Sequence, residues 1–313
     1  MNQTEYPCIE VTGLTKNFGP IKAVDNISFK VSKGEVFGFL GPNGAGKSTT
    51  MKMITSFITP TSGSVSILGT NISEAPMAAK KKVGYLPESA ALYPDMKVLD
   101  FLNFIRDIRQ LEGKAPVERV VKLCALQSVL DQRIETLSKG FKRRVALAQA
   151  IIHDPEVLIM DEPTDGLDPN QKAGVRKLIK EMAKDKIIIL STHILEEVEA
   201  LCTRAVVISE GKIRFDGTPD EFRMQSKKHN AVTIKLHSKA EDDHLTKLLS
   251  FPGVEETEKT DEKTITVYPR AKQNISHEVI LFANENGWDI DEVSLSQGDM
   301  NEVFRTITEG GRA

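Results

Sequence analysis

Val36-Phe-Gly-Phe-Leu-Gly41-Pro42-Asn43-Gly44-Ala45-Gly46-Lys47-Ser48-Thr49 is the stretch on which the reading of the fold turns. Its first five residues are apolar apart from one glycine and read as a short strand buried on both faces. The rest fits the pattern G-x-x-x-x-G-K-[ST], and a helix is predicted from Lys47 to about Phe57. Strand, glycine-rich turn and helix form the setting in which that pattern has physical meaning. The glycines permit a tight turn whose N–H groups point inward, and the helix start adds the positive end of its dipole. Such a cradle suits the phosphates of a nucleotide such as ATP. Lys47 is placed to contact the β- and γ-phosphates, and the Ser48 hydroxyl to hold Mg²⁺.

Working outward, Val157–Met160 reads as a second buried strand, ending at Asp161-Glu162, and Ile187–Leu190 as a third, ending at Ser191-Thr192-His193. Ligands of open α/β sheets bind at the carboxyl ends of strands, so three strand ends converge on one expected site. Asp161 is a candidate for Mg²⁺, and Glu162 for orienting or deprotonating the attacking water. His193 is a candidate for reaching the γ-phosphate. Between about Glu88 and Ile152 the pattern turns helical. Residues 98–109 and 117–126 carry apolar side chains at three-to-four spacing, and Ser138 is a fitting N-cap for a further helix. The expectation is a helical subdomain inserted, at about residues 88–152, into an α/β domain spanning 1–225.

After Asp216-Gly-Thr-Pro219 the rhythm changes to strand, helix, strand, strand, helix, strand. That order predicts a small α+β, ferredoxin-like domain over residues 226–313. The charge changes with it. Residues 226–313 hold 11 Lys+Arg against 16 Asp+Glu, whereas the preceding 225 hold 30 against 28, so two domains with different surfaces are expected. Neither carries the basic stripe of a nucleic-acid binder, and no nucleic-acid partner is expected. No apolar run approaches the ~20 residues that span a bilayer. Residues 1–8 have neither the basic region nor the apolar core of a secretory signal. Cys8, Cys124 and Cys202 are odd in number and far apart, which suits a reducing cytosol, and none of the six histidines forms a metal-spaced cluster with them.

The same domain holds Leu137-Ser-Lys-Gly-Phe141, then Val157-Leu-Ile-Met-Asp-Glu-Pro-Thr-Asp-Gly-Leu-Asp-Pro169, then Thr192-His193. The glycine-rich loop alone would admit kinases, GTPases and helicases. Motifs in this order, over about residues 8–225, resemble an ATP-binding-cassette (ABC) ATPase. The resemblance implies a head-to-tail dimer, each ATP lying between one P-loop and the opposite signature helix. Ser138 and Gly140 would then meet the ATP held opposite, Gly166-Leu167-Asp168 would be the D-loop, and Phe18 would stack on adenine. Three positions depart from the common pattern. Lys139 and Phe141 stand where LSGGQ has Gly and Gln, and Glu88 stands at the Q-loop position, where it becomes a third candidate for Mg²⁺.

Tyr85-Leu-Pro-Glu88, the signature segment, His153–Gln171 and the acidic C-terminal domain resemble most the ATPase subunits of gliding-motility, sodium, drug and copper-enzyme-maturation exporters. That resemblance implies a cytoplasmic subunit, peripheral on the inner face of the membrane. It would drive a separate multi-spanning permease, as a homodimer or as a heterodimer of two ABC ATPases. A soluble ABC ATPase acting on ribosomes or nucleic acid is the alternative. One P-loop, and no long heptad run within the cassette, argue against it. A third reading makes the C-terminal domain the working part and the ATPase its switch.

Overall fold

The computed structural model describes residues 9–309, so the expectations for residues 1–8, Cys8 among them, lie outside the described residues. The chain opens on two antiparallel strands, β1 (Ile9–Phe18) and β2 (Ile21–Val31), followed by β3 (Val36–Leu40) and α1 (Lys47–Ile54). β4 (Ser62–Ile67), β5 (Thr70–Asn71), α2 (Pro76–Lys82) and β6 (Val83–Leu86) come next. The helical insert supplies α3 (Val98–Ile108), α4 (Ala115–Leu123) and α5 (Lys139–Ile151). The chain then returns through β7 (Val157–Asp161), α6 (Pro169–Met182), β8 (Ile187–Thr192), α7 (Leu195–Leu201), β9 (Arg204–Ser209) and β10 (Lys212–Gly217).

A six-stranded sheet ordered β10-β9-β3-β8-β7-β6 carries the site. All its neighbours run parallel except the β10–β9 pair. β3, β7 and β8 are buried along their whole length, which is why they read as nearly unbroken apolar runs. A second sheet, β2-β1-β4-β5, is antiparallel and was not anticipated from the sequence. Its Val11, Phe29 and Val65 join Phe37, Phe39 and Ile189 in one apolar core, where Phe29 stacks on Phe37 at 5.1 Å between ring centroids.

The expected helices form with trimmed ends. α1 stops at Ile54 rather than Phe57, because Thr55 Oγ1 donates back to the Met51 carbonyl and Ser56 takes φ +56°. α4 begins at Ala115, ahead of the expected start, with Pro116 in its first turn. It ends at Leu123, and Ala125 at φ +51° takes the chain out of helical geometry. Ser138 caps α5 as expected, its Oγ accepting from Phe141 N at 3.3 Å.

The chain divides into two compact units, residues 1–218 and 219–313. The second contains α8 (Pro219–Arg223), β11 (Val232–Leu236), α9 (Asp242–Leu249), β12 (Val254–Lys259), β13 (Thr264–Pro269), α10 (Ser276–Glu285), β14 (Ile290–Leu295) and α11 (Met300–Glu309). The division falls before α8 rather than at 225/226. Phe222 of α8 is buried, α8 touches α11, and Ser226 Oγ donates to Glu302 of α11 at 2.7 Å. The sheet order β12-β13-β11-β14, antiparallel throughout, is the ferredoxin-like arrangement. Val232, Ile234, Ile265, Val267, Leu248 and Val279 give this unit its own core. Among the described residues no helix is long and apolar enough to cross a membrane.

Candidate functional site

The sheet register assembles the site. Leu40 at the end of β3 pairs with Thr192 of β8, and Ser191 pairs with Asp161 at the end of β7. Leu86 of β6 pairs with Met160, so Glu88, two residues on, reaches the same edge. Four parallel strands thus deliver the glycine-rich loop, Asp161-Glu162, His193 and Glu88 to one end of the sheet.

Two glycines fix the loop. Gly46, the residue before α1, has φ +108°, and a Cβ there would lie 2.5 Å from the Ala23 carbonyl oxygen. A Cβ on Gly41 would lie 2.4 Å from the Ile208 carbonyl oxygen. Any side chain at either position would lift the loop off the backbone beneath it. Lys47, only 6% exposed, folds back over the loop and donates to the Gly41 and Pro42 carbonyls at 2.7 and 3.2 Å. Burial pushes its ammonium below its ordinary pKa, while Glu162 and Asp161 draw it back up.

Glu162 is 7% exposed and occupies φ +49°, an uncommon backbone region for a residue other than glycine. Its N–H donates to the Ser191 carbonyl at 3.1 Å, tying the turn to the end of β8. Its side chain lies between two cationic or ionisable groups: Oε1 is 3.6 Å from Lys47 Nζ, and Oε2 is 2.9 Å from His193 Nδ1. Asp161 is also buried, and one of its carboxylate oxygens accepts from the Ser191 hydroxyl.

Lys47, Glu162 and His193 open onto a cavity of about 460 Å³ that Asn43, Gly44, Gly46, Ser48, Thr49 and Glu88 also line. Ser48, Asp161 and Glu88, the three Mg²⁺ candidates, border an adjoining groove of about 770 Å³. The donor set fits a triphosphate, because it offers helix-start amides and a buried ammonium whose partners among the described residues are loop carbonyls and one carboxylate. The hydroxyl and carboxylate oxygens beside it fit a hard divalent cation.

Other sequence-predicted residues stand apart from this cavity. Phe18, at the end of β1, is 49% exposed with Lys16 Nζ 5.1 Å from its ring centroid. Ser138 is exposed on the surface of its own chain, whereas Gly140 is buried so closely against Gln171 of α6 that a Cβ would lie 2.5 Å from that side chain. Lys139 lies over Gly166, its Nζ 3.7 Å from Asp165 Oδ2.

Three contributors were missed. Ser191 holds Asp161. Thr192 Oγ1 donates to buried Glu197 at 2.8 Å and accepts from Ile194 N, shaping the turn that carries His193. Arg143 donates to the backbone on either side of Glu162. None of the three was given a role from the sequence: Ser191 and Thr192 stood only as the polar end of a strand, and Arg143 as a charge on the stripe Gly140, Arg143, Leu147, Ile151 of an otherwise buried helix face.

Residues 24–165 match the ABC transporter family. The chain is 37% identical over 222 residues to the probable multidrug ABC transporter ATP-binding protein YbhF of Escherichia coli (strain K12), covering 70% of this chain and 38% of that protein. It is 30% identical over 305 residues to the bacitracin transport ATP-binding protein BcrA of Bacillus licheniformis, covering 97% of this chain and 98% of the relative. A solved structure of an ATP-binding subunit of an ABC transporter superimposes with a TM-score of 0.64 at 31% identity, covering 70% of this chain and 92% of that one. The likeness to BcrA runs through both units, and the glycine-rich loop, acidic strand end and histidine turn meet at one sheet edge: the chain belongs to the ABC transporter family, among its ATP-binding proteins.

Proposed function

We propose that the chain is the ATP-hydrolysing subunit of an ABC exporter. The observation that carries this reading is the position of the Glu162 carboxylate, between Lys47 and His193 at the mouth of the glycine-rich loop. The loop amides and Lys47 bind the triphosphate. Ser48 and Asp161 would hold Mg²⁺, which would supply charge neutralisation at the phosphate oxygens. Glu162 takes the proton of the attacking water, and His193 holds the carboxylate in place and faces the γ-phosphate. Hydrolysis is acceleration by position and charge, for which a buried, pre-oriented carboxylate is suited.

Two cassettes acting head to tail, driving a membrane permease on the cytoplasmic side, complete the reading. The groove beside the site supports a protein partner. Phe57, 73% exposed, borders it with Met77 and Ile108, and Glu88, Ser48 and Asp161 form its inner wall. A permease segment seated there would sense the nucleotide directly through residues 88–91. The transport names of YbhF and BcrA favour transport over action on ribosomes or nucleic acid. Purification from detergent-solubilised membranes tests this: a co-purifying multi-spanning protein that raises ATP turnover supports it, and capture of ribosomes instead overturns it.

A further inference from the structure

We infer that Arg143 is a positioning residue for hydrolysis, setting the backbone turn that aims Glu162 and locking residues 87–88 to that turn. The inference rests on the proposed role of Glu162. A guanidinium has five N–H bonds in a rigid planar fork. In Arg143 each finds one backbone carbonyl: Nε reaches Pro163 at 3.1 Å, Nη1 reaches Pro87 and Glu88 at 2.8 and 3.0 Å, and Nη2 reaches Asp161 and Glu162 at 2.6 and 2.7 Å.

The five acceptors belong to two segments. Asp161, Glu162 and Pro163 leave the sheet where Glu162 adopts its positive φ, and their carbonyls converge on one donor fork. Pro87 and Glu88 follow β6. The arginine itself rises from α5, in the helical insert. A single side chain thus joins the insert, the segment after β6 and the turn bearing Glu162. Asp161, Asp165, Glu88 and Glu162 surround it and favour its charge, against the burial that lowers its pKa. Lys47 and the glycine-rich loop receive none of its hydrogen bonds, so Arg143 acts on the turn bearing Glu162 and not on the loop directly.

Lysine cannot replace this arrangement, because an ammonium has three donors and no plane. Arg143→Met removes all five bonds, and leaves the Glu162 carbonyl with the Asp165 N–H at 3.2 Å. A misplacement of about 1 Å at a reacting group can cost on the order of a hundredfold in rate.

Steady-state hydrolysis and binding of a fluorescent ATP analogue, measured on wild type, R143K, R143M and E162Q, test the assignment. The expected result is a kcat at least about tenfold lower in R143M, with nucleotide Kd unchanged within about twofold and R143K intermediate. R143M turnover near wild type, or a Kd that weakens in step with kcat, would overturn it. Should R143M fail to fold, a folded R143K with full kcat overturns it equally, and a folded R143K with selectively reduced kcat supports it. E162Q separates the two ideas: if E162Q is inactive while R143M is fully active, the positioning role alone fails. If E162Q turns over normally, the role of Glu162 fails and this inference with it.

Discussion

Lys47 opens α1, which follows β3, and Glu162 follows β7; the two strands are not neighbours in the sheet, yet Nζ and Oε1 stand 3.6 Å apart with both side chains nearly sealed from solvent. A buried pair of this kind is costly to break by removing one partner, since the other charge is then stranded. In the proposed mechanism an incoming triphosphate would resolve that difficulty for Lys47, offering the ammonium new anionic partners while the carboxylate keeps His193.

Replacing Glu162 with Gln keeps the shape and removes the proton acceptor. Turnover should fall by about a hundredfold or more, the range expected for loss of a general base. ATP affinity should hold or rise, because a negative charge beside the γ-phosphate has gone. The variant should accumulate an ATP-bound dimer on size-exclusion chromatography. Wild-type turnover in this variant would take Glu162 out of the reaction.

Glu88 borders both the cavity at the glycine-rich loop and the adjoining groove, which Ser48 and Asp161 also border. A carboxylate there attracts Mg²⁺ and repels the triphosphate, and attraction dominates only with the metal bound. Glu88→Gln should shift the Mg²⁺ dependence of hydrolysis to higher concentration and leave metal-free ATP binding nearly unchanged. Superimposable Mg²⁺ titrations would show that Glu88 does not sense the metal.

His153 sets an acid limit on stability. Burial, with Arg109 adding to it, depresses the imidazole from its usual 6.5 to about 4, and Nε2 meets the Val83 carbonyl at 3.1 Å. The folded value lies below the unfolded one, so the unfolded chain protonates first as pH falls. The contribution is complete above pH 6.5 and is lost between 6.5 and about 4. Allowing for partial solvent exposure, the loss is of order 1 kcal/mol. Thermal melts of His153→Asn across that range should show a flatter acid limb than wild type, and parallel curves would refute the assignment.

The boundary at Thr218 and Pro219 can be tested by truncation. A chain ending at residue 218 should stay folded and bind ATP. One ending at 225 should be less soluble, because it retains Phe222 without the α11 contacts made by α8. Loss of ATP binding in the shorter chain would show that the first unit does not stand alone.

How far the sequence revealed these features depended on local signals. β3, β7 and β8 were legible because a strand buried on both faces must be apolar throughout, and each ends in polar residues that need a reason. The β-α-β-β-α-β order of the second unit was legible for a similar cause, since its strands and helices differ in period. β1 and β2 were not. Their burial alternates irregularly, with register shifts after Val11, Leu14 and Lys16, and Gly13 at φ +58°, so no clean period survives. Lys47, Asp161, Glu162 and His193 follow from motif and strand end. Ser191 and Arg143 do not, because hydrogen bonds to a neighbouring strand or to carbonyls depend on which segments the fold sets side by side. Phe18 and Gly140 show the reverse: their expected roles concern nucleotide or a second cassette, and within one chain they stand away from the cavity.

The strand order has a further consequence during synthesis. β3 carries the glycine-rich loop, yet its two sheet neighbours are β8 and β9, with Val36 aligned to Ile188 and Phe37 to Arg204. A nascent chain that has just exposed the loop offers β3 no partner on either side, and an apolar strand with two open edges invites wrong pairing. Almost the whole cassette must leave the ribosome before the loop is braced. Nucleotide binding by arrested chains of increasing length should therefore switch on only once β9 has emerged, making it a late reporter of folding although its motif is translated early.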